Sequence, residues 1–175
     1  MSLGDRVAEI ATLHGQFRLR SGLEANVYFD KYQFEARPDL LAAIIKDFAR
    51  LVPKDTEVLA GLELGGVPLA VALGLHSGMP MCFVRKTRKT YGTCRIAEGV
   101  DVRSKRVCVI EDVITTGGQV VESVQALREE GAIVTAVCCV ILRAASIPTA
   151  LTDVNVRVLP LLSFNGDKLV EAVRL

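Results

Sequence analysis

The sequence predicts an α/β protein built on a mainly parallel sheet with helices on both faces. Two observations carry this. From Glu57 onward, short apolar β-like runs alternate with helix-periodic ones, the pattern of strands joined by crossover helices. And "RVCVI" (106–110) is continuously apolar after its arginine, as a strand buried on both faces must be.

The elements follow in order. Residues 3–14 place Leu3, Val7, Ile10, Ala11 and His14 on one helical side. "PDLLAAIIKDFARLV" (38–52) opens with a proline in its first turn and spaces Leu41, Ile44, Ile45, Phe48 and Leu51 at helical intervals. The alternation then runs through "EVLAGLE", "VPLAVALGLHSG", "MCFVRK", "KRVCVIED", "GQVVESVQALREEG", "IVTAVCCVILR" and "VRVLPLL". Only 85–100, "RKTRKTYGTCRIAEGV", has neither periodicity nor an apolar centre, and it reads as a long loop.

The chain has 175 residues, half of them hydrophobic, which suits one domain spanning 1–175 with a sizeable core. Twenty-one basic residues against 20 acidic ones give no global attraction to nucleic acid or anionic membrane, so any anion site is local. The five cysteines form no CxxC pair, and four lie in apolar strand-like runs, reading as reduced core residues of a cytoplasmic protein. No signal peptide and no membrane span is visible in the sequence.

Ligands of open α/β sheets bind beyond the carboxyl ends of strands, which directs attention to the segments after Glu63, Val84, Ile110 and Leu142. After Ile110 come Glu111 and Asp112, then "VITTGGQ" (113–119), then a helix with Val120, Val121, Val124 and Leu127 on one face. Backbone amides of "TTGG" at the positive end of that helix, with two threonine hydroxyls, form a phosphate cup. There is no GxxxxGK[ST], since "GLELGGVP" puts Val67 where the lysine belongs, and no GxGxxG. Two carboxylates ahead of a phosphate cup suit a diol or a hydrated Mg²⁺, so the ligand suggested is a sugar phosphate. The alternative is a solvated acid pair before an ordinary glycine turn.

"VCVIEDVITTGG" resembles the phosphoribosyl pyrophosphate (PRPP) signature of type I phosphoribosyltransferases. The resemblance implies that family's fold, with a small hood made by residues 1–37 and the C-terminal segment. It implies that Glu111 and Asp112 hold the ribose hydroxyls and that Val113, Ile114, Thr115, Thr116, Gly117, Gly118 and Gln119 hold the 5′-phosphate. Mg²⁺ would ride on PRPP itself, with no direct protein ligand.

Which member is indicated by the loop. "RKTRKTYGT" resembles the catalytic loop R-K-x-x-K-x-[YH]-G-T of orotate phosphoribosyltransferases, with Arg85, Lys86, Lys89, Tyr91 and Gly92 in register. In that family the loop reaches across a two-fold dimer, so a homodimer sharing loop 85–93 is implied. Lys89 becomes the catalytic cation on pyrophosphate, alongside Asp112. Mobile cations suit a departing polyanion.

"FRLRSG" followed by "VYFD" (17–30) resembles the family's N-terminal motif, with Arg20 where lysine is usual and Tyr28 and Phe29 either approaching orotate or simply packing a hood strand. Arg143, ending an apolar strand, resembles the residue that grips the orotate carboxylate, helped by Thr115. Around it Leu142 and Ala144 to Ser146 depart from the family pattern. Glu63, Leu64 and Gly65 occupy the pyrophosphate-loop position, where a plain glycine turn is the alternative. His14 and His76 have no partner at useful spacing.

The implied reaction is orotate plus PRPP giving orotidine 5′-monophosphate and pyrophosphate, a step of pyrimidine synthesis. The alternatives are transfer to another nucleobase, or a non-catalytic PRPP-sensing regulator. Against the sensor stand the complete basic loop and the lack of any basic recognition helix.

Overall fold

A computed structural model describes residues 1–18, 22–89, 95–165 and 168–172. The chain begins with α1 (Leu3–Ala11). Ser2 caps it reciprocally: the Ser2 hydroxyl accepts the Asp5 N–H, and the Asp5 carboxylate accepts the Ser2 N–H. The helix ends three residues short of the expected His14. Thr12 to Arg18 instead form β1, paired antiparallel with β2 (Glu24–Phe29), with Thr12 opposite Phe29 and His14 opposite Val27. Cross-strand pairing in this ribbon outweighs the helical spacing of the side chains.

Two helices follow, α2 (Tyr32–Glu35) and α3 (Pro38–Phe48), the latter with its proline in the first turn as expected but ending at Phe48 rather than residue 52. The main sheet has seven strands: β3 (Val58–Leu62), β4 (Met81–Val84), β5 (Ala97–Gly99), β6 (Arg106–Ile114), β7 (Ile133–Leu142), β8 (Arg157–Asn165) and β9 (Lys168–Glu171). Their order is β5-β4-β3-β6-β7-β8-β9, parallel throughout except for the two edge strands. The short β5 lies inside the stretch read as loop, and β9 folds back on β8. Helices α4 (Gly66–Ser77), α5 (Gly118–Glu129) and α6 (Thr149–Asp153) connect the strands.

Alternate residues of each inner strand face opposite cores. Val107 and Val109 pack with Val120, Val124 and Leu127 of α5, whereas Cys108 and Ile110 pack with Leu69 and Leu73 of α4 and Ile44 and Phe48 of α3. Each such fully buried side chain contributes about 1.5–3 kcal/mol. The N-terminal helix joins the same body: Gly4 sits so close to the Leu169 carbonyl of β9 that a Cβ would lie 2.2 Å from it. Cys82, Cys108, Cys138 and Cys139 are buried and unbridged, and burial pushes the Cys82 thiol up to about 12, which leaves it inert. Among the described residues no helix is long and apolar enough to cross a membrane.

Candidate active site

The helix after β3, α4, packs on one face of the sheet, and the helix after the neighbouring β6, α5, packs on the other. Between β3 and β6 the connections therefore diverge, opening a crevice at the strands' carboxyl ends. β6 pairs with β3 only as far as Ile110 opposite Gly61, but stays paired with β7 to Ile114 opposite Leu142. The strand thus outlasts its expected end: Glu111 and Asp112 lie within it, on the side that β3 has left open.

Both acids are buried, Glu111 to 8 % exposure and Asp112 to 0 %. Asp112 Oδ1 accepts the Val113 N–H at 2.6 Å, and Oδ2 lies 2.6 Å from Lys31 Nζ. On the other side Oδ2 abuts Gly65, where an added Cβ would fall 1.6 Å from it. Only glycine fits there. Glu111 Oε1 accepts the Asp112 N–H at 2.9 Å.

The electrostatics of this cluster explain how acids can precede a phosphate cup. Burial, and then Asp112 beside it, push the Glu111 carboxyl up to about 9; burial and Asp112 likewise push Glu35 up to about 8. Burial also works against the charge on Asp112, but hydrogen bonds from Glu111 and Lys31 prevail and hold it below the usual carboxylate range. For Lys31 burial is again the largest influence and is overcome by Asp112, so its ammonium is held above its ordinary value. Burial and Asp112 thus press Glu111 and Glu35 toward their neutral forms, while Lys31 pairs with the Asp112 charge, and both effects lessen the repulsion of a phosphate.

Beyond Ile114 the chain turns through two glycines into α5, as the spacing indicated. Gly117 takes φ 79° as the N-cap of α5, and a Cβ there would meet Leu151 at 2.9 Å. Thr115, Thr116, Gly118 and Gln119 are exposed around it. The first-turn amides of α5 have no acceptor within the helix, and the positive end of the helix lies here.

The Glu63–Gly65 turn stands at the crevice rim. Glu63 donates its N–H to the Val84 carbonyl at 2.9 Å, and its carboxylate accepts the Lys86 N–H at 3.0 Å, tying this turn to the start of the basic loop. Leu64 is exposed and the Glu63–Leu64 peptide is cis.

Arg143 follows β7, its N–H donating to the Ile114 carbonyl at 2.7 Å, so it is fixed one strand away from the cup. Its guanidinium lies 5.8 Å from the Phe29 ring centre and 5.9 Å from that of Phe164, and the two rings meet edge to face at 6.0 Å. The hood and the C-terminal strand pair thus hold one arginine. Tyr28 does not join them; it packs on Phe17 at 5.5 Å and is 43 % exposed. A cavity of about 580 Å³ adjoins this corner, bordered by Leu142, Ala144, Ser163 and Phe164, and lies beside the cup rather than over it.

The basic loop is only partly brought to the crevice. Arg85 donates its N–H to the Ile96 carbonyl, and Lys86 is tied to Glu63. Arg88 pairs with Glu130 at 2.6 Å and Lys89 with Glu98 at 2.5 Å. Glu98 is on β5, three strand spacings from β6, or about 14 Å. Arg20 and Tyr91 lie outside the described residues.

Sequence reasoning missed Lys31, Glu35 and Phe164. Lys31 follows "VYFD" directly, and its position after a hood strand was the available signal. Nothing in "LLSFNG" connects Phe164 with Arg143 before the chain is folded.

A glycine turn into a helix at the switch point of a parallel sheet, with two acids ahead of it, fits the phosphoribosyltransferase class, and residues 32–158 match the phosphoribosyl transferase domain. The chain is 48% identical over 162 residues to the orotate phosphoribosyltransferase of a Nocardioides species, covering 93% of this chain and 90% of that one. It superposes on Mycobacterium tuberculosis H37Rv orotate phosphoribosyltransferase in complex with Fe(III) dicitrate with TM-score 0.83 at 32% identity, covering 93% and 94% of the two chains. For the same enzyme in complex with PRPP the TM-score is 0.78 at 28% identity, covering 92% and 93%. This chain belongs to the orotate phosphoribosyltransferase family.

Proposed function

We propose that this chain transfers the phosphoribosyl group of PRPP to orotate, giving orotidine 5′-monophosphate and pyrophosphate, a step in making UMP. The observation that carries the reading is the Arg143 corner: a guanidinium set near two aromatic rings, on a residue whose backbone N–H bonds the Ile114 carbonyl at the end of β6. A planar, forked cation there is matched to a planar carboxylate on a ring.

The 5′-phosphate sits on Thr115 to Gln119, and the acid pair Glu111 and Asp112 faces the ribose hydroxyls. Glu63 to Gly65 border the diphosphate. The bond between ribose C1 and the diphosphate oxygen breaks, its electron pair leaving with pyrophosphate, as N1 of orotate bonds to C1 and gives up its proton. Chemistry of this kind draws on positioning and on fixed charges at the departing oxygen more than on a nucleophile. Arg85, Lys86 and Lys89 supply those charges once the loop has closed, across a homodimer, and Tyr91 adds a hydroxyl donor. Among the described residues no group of three or more His, Cys, Asp or Glu side chains is set to cage a metal. A Mg²⁺ arriving with PRPP would offset the charge on its oxygens.

Replacing Arg143 tests the reading. Arg143→Ala is expected to raise the KM for orotate by about 10- to 100-fold, the loss of a charged hydrogen bond, with the KM for PRPP little changed. An unchanged KM for orotate would overturn the assignment.

A further inference from the structure

The cluster behind the cup contains one cation that the reaction scheme above does not use. Lys31 leads into α2 from the hood and reaches Asp112 Oδ2 at 2.6 Å. The two partners differ sharply in access: the Asp112 side chain is 0 % exposed, the Lys31 side chain 35 %. Both Asp112 oxygens are engaged, one by the Val113 N–H and the other by Lys31, and the second is also walled off by Gly65. Of the two partners, Lys31 is the one open to the crevice side. Because Oδ2 touches both Lys31 and Gly65, that ammonium stands where the turn assigned to the diphosphate meets the acids assigned to the ribose.

Resting on the phosphoribosyl-transfer reading, we infer that Lys31 is a PRPP-binding residue, its ammonium donating to an oxygen of the ribose diphosphate while Asp112 holds it in place. A lysine on a flexible stem is normally costly to fix. Here the fully buried carboxylate behind it and the Tyr32 ring 5.3 Å from Nζ restrict it beforehand. The contact also ties the hood to the cup, so that one substrate engages both.

The test compares wild type, Lys31→Met and Lys31→Arg by steady-state pyrophosphate release, with calorimetric titration of PRPP alone. Lys31→Met is expected to raise the KM and Kd for PRPP by about 10- to 100-fold. The orotate KM and the kcat at saturating PRPP stay near wild type, and Lys31→Arg recovers most of the loss. PRPP affinity unchanged in Lys31→Met would overturn the inference. So would equal damage in both variants accompanied by equal falls in Tm, which would make Lys31 a staple of the hood. If the wild type releases no pyrophosphate with orotate, the orotate reading fails, and the PRPP titration still decides the role of Lys31.

Discussion

The acids at residues 111 and 112 are chemically unlike each other despite being neighbours. Asp112 keeps its charge because Lys31 and hydrogen bonds outweigh burial, while Glu111 and Glu35 are pushed to about 9 and about 8. For those two the folded form binds the proton more tightly than the unfolded chain, whose carboxyls titrate near 4.5. Their contribution to stability is therefore complete below that value and is lost as pH rises through about 8 and 9. Asp112 has the opposite sign, its contribution being present above 3.8 and lost as pH falls. Wild-type Tm is expected to decline from about pH 5 to about pH 9, and Glu35→Gln to make the fall below about pH 8 shallower. Parallel declines in the two proteins would show that Glu35 ionises normally. The two acids were legible in sequence as a pair, but their division of labour was not, because Lys31 and Glu35 come from a segment some 80 residues earlier.

At the scale of elements, what the sequence made legible was the periodic interior: the five parallel strands and the helices between them follow from their apolar spacing. The ends were less legible. α1 stopped at Ala11 because pairing with β2 claimed Thr12 to His14, and β6 ran on through both acids because β7 continues to pair with it up to Leu142. Turns written in glycine were readable where the backbone demands them, as at Gly117. Gly65 is a glycine for a different reason, a close approach to Asp112 rather than a positive φ, and only the fold reveals it. Gly65→Ala would place a methyl group 1.6 Å from Asp112 Oδ2, against a carboxylate that is itself enclosed. Overpacking there is expected to cost about 1–3 kcal/mol of stability by urea unfolding, with PRPP binding weakened as Asp112 is forced off Lys31. An alanine variant as stable as wild type would mean that the turn shifts freely and does not hold Asp112.

For the molecule as a whole, function follows from where the sheet changes direction. β3 and β6 send their helices to opposite faces, and that divergence brings the Glu63 turn, the acid pair and the N-terminus of α5 together at one crevice. Arg143 arrives from the adjoining strand, and the hood and C-terminal strands meet over it through Phe29 and Phe164. The cations at 85–89 stand partly apart from this crevice, with Lys89 on Glu98 at the sheet edge. The central claim is that this arrangement transfers ribose phosphate to orotate and not to other bases. It is tested most directly by measuring pyrophosphate release from PRPP with orotate, uracil, adenine and hypoxanthine as parallel acceptors. The account predicts release that depends on orotate and is at background with the other three; turnover with a purine, or none with any base, would contradict it.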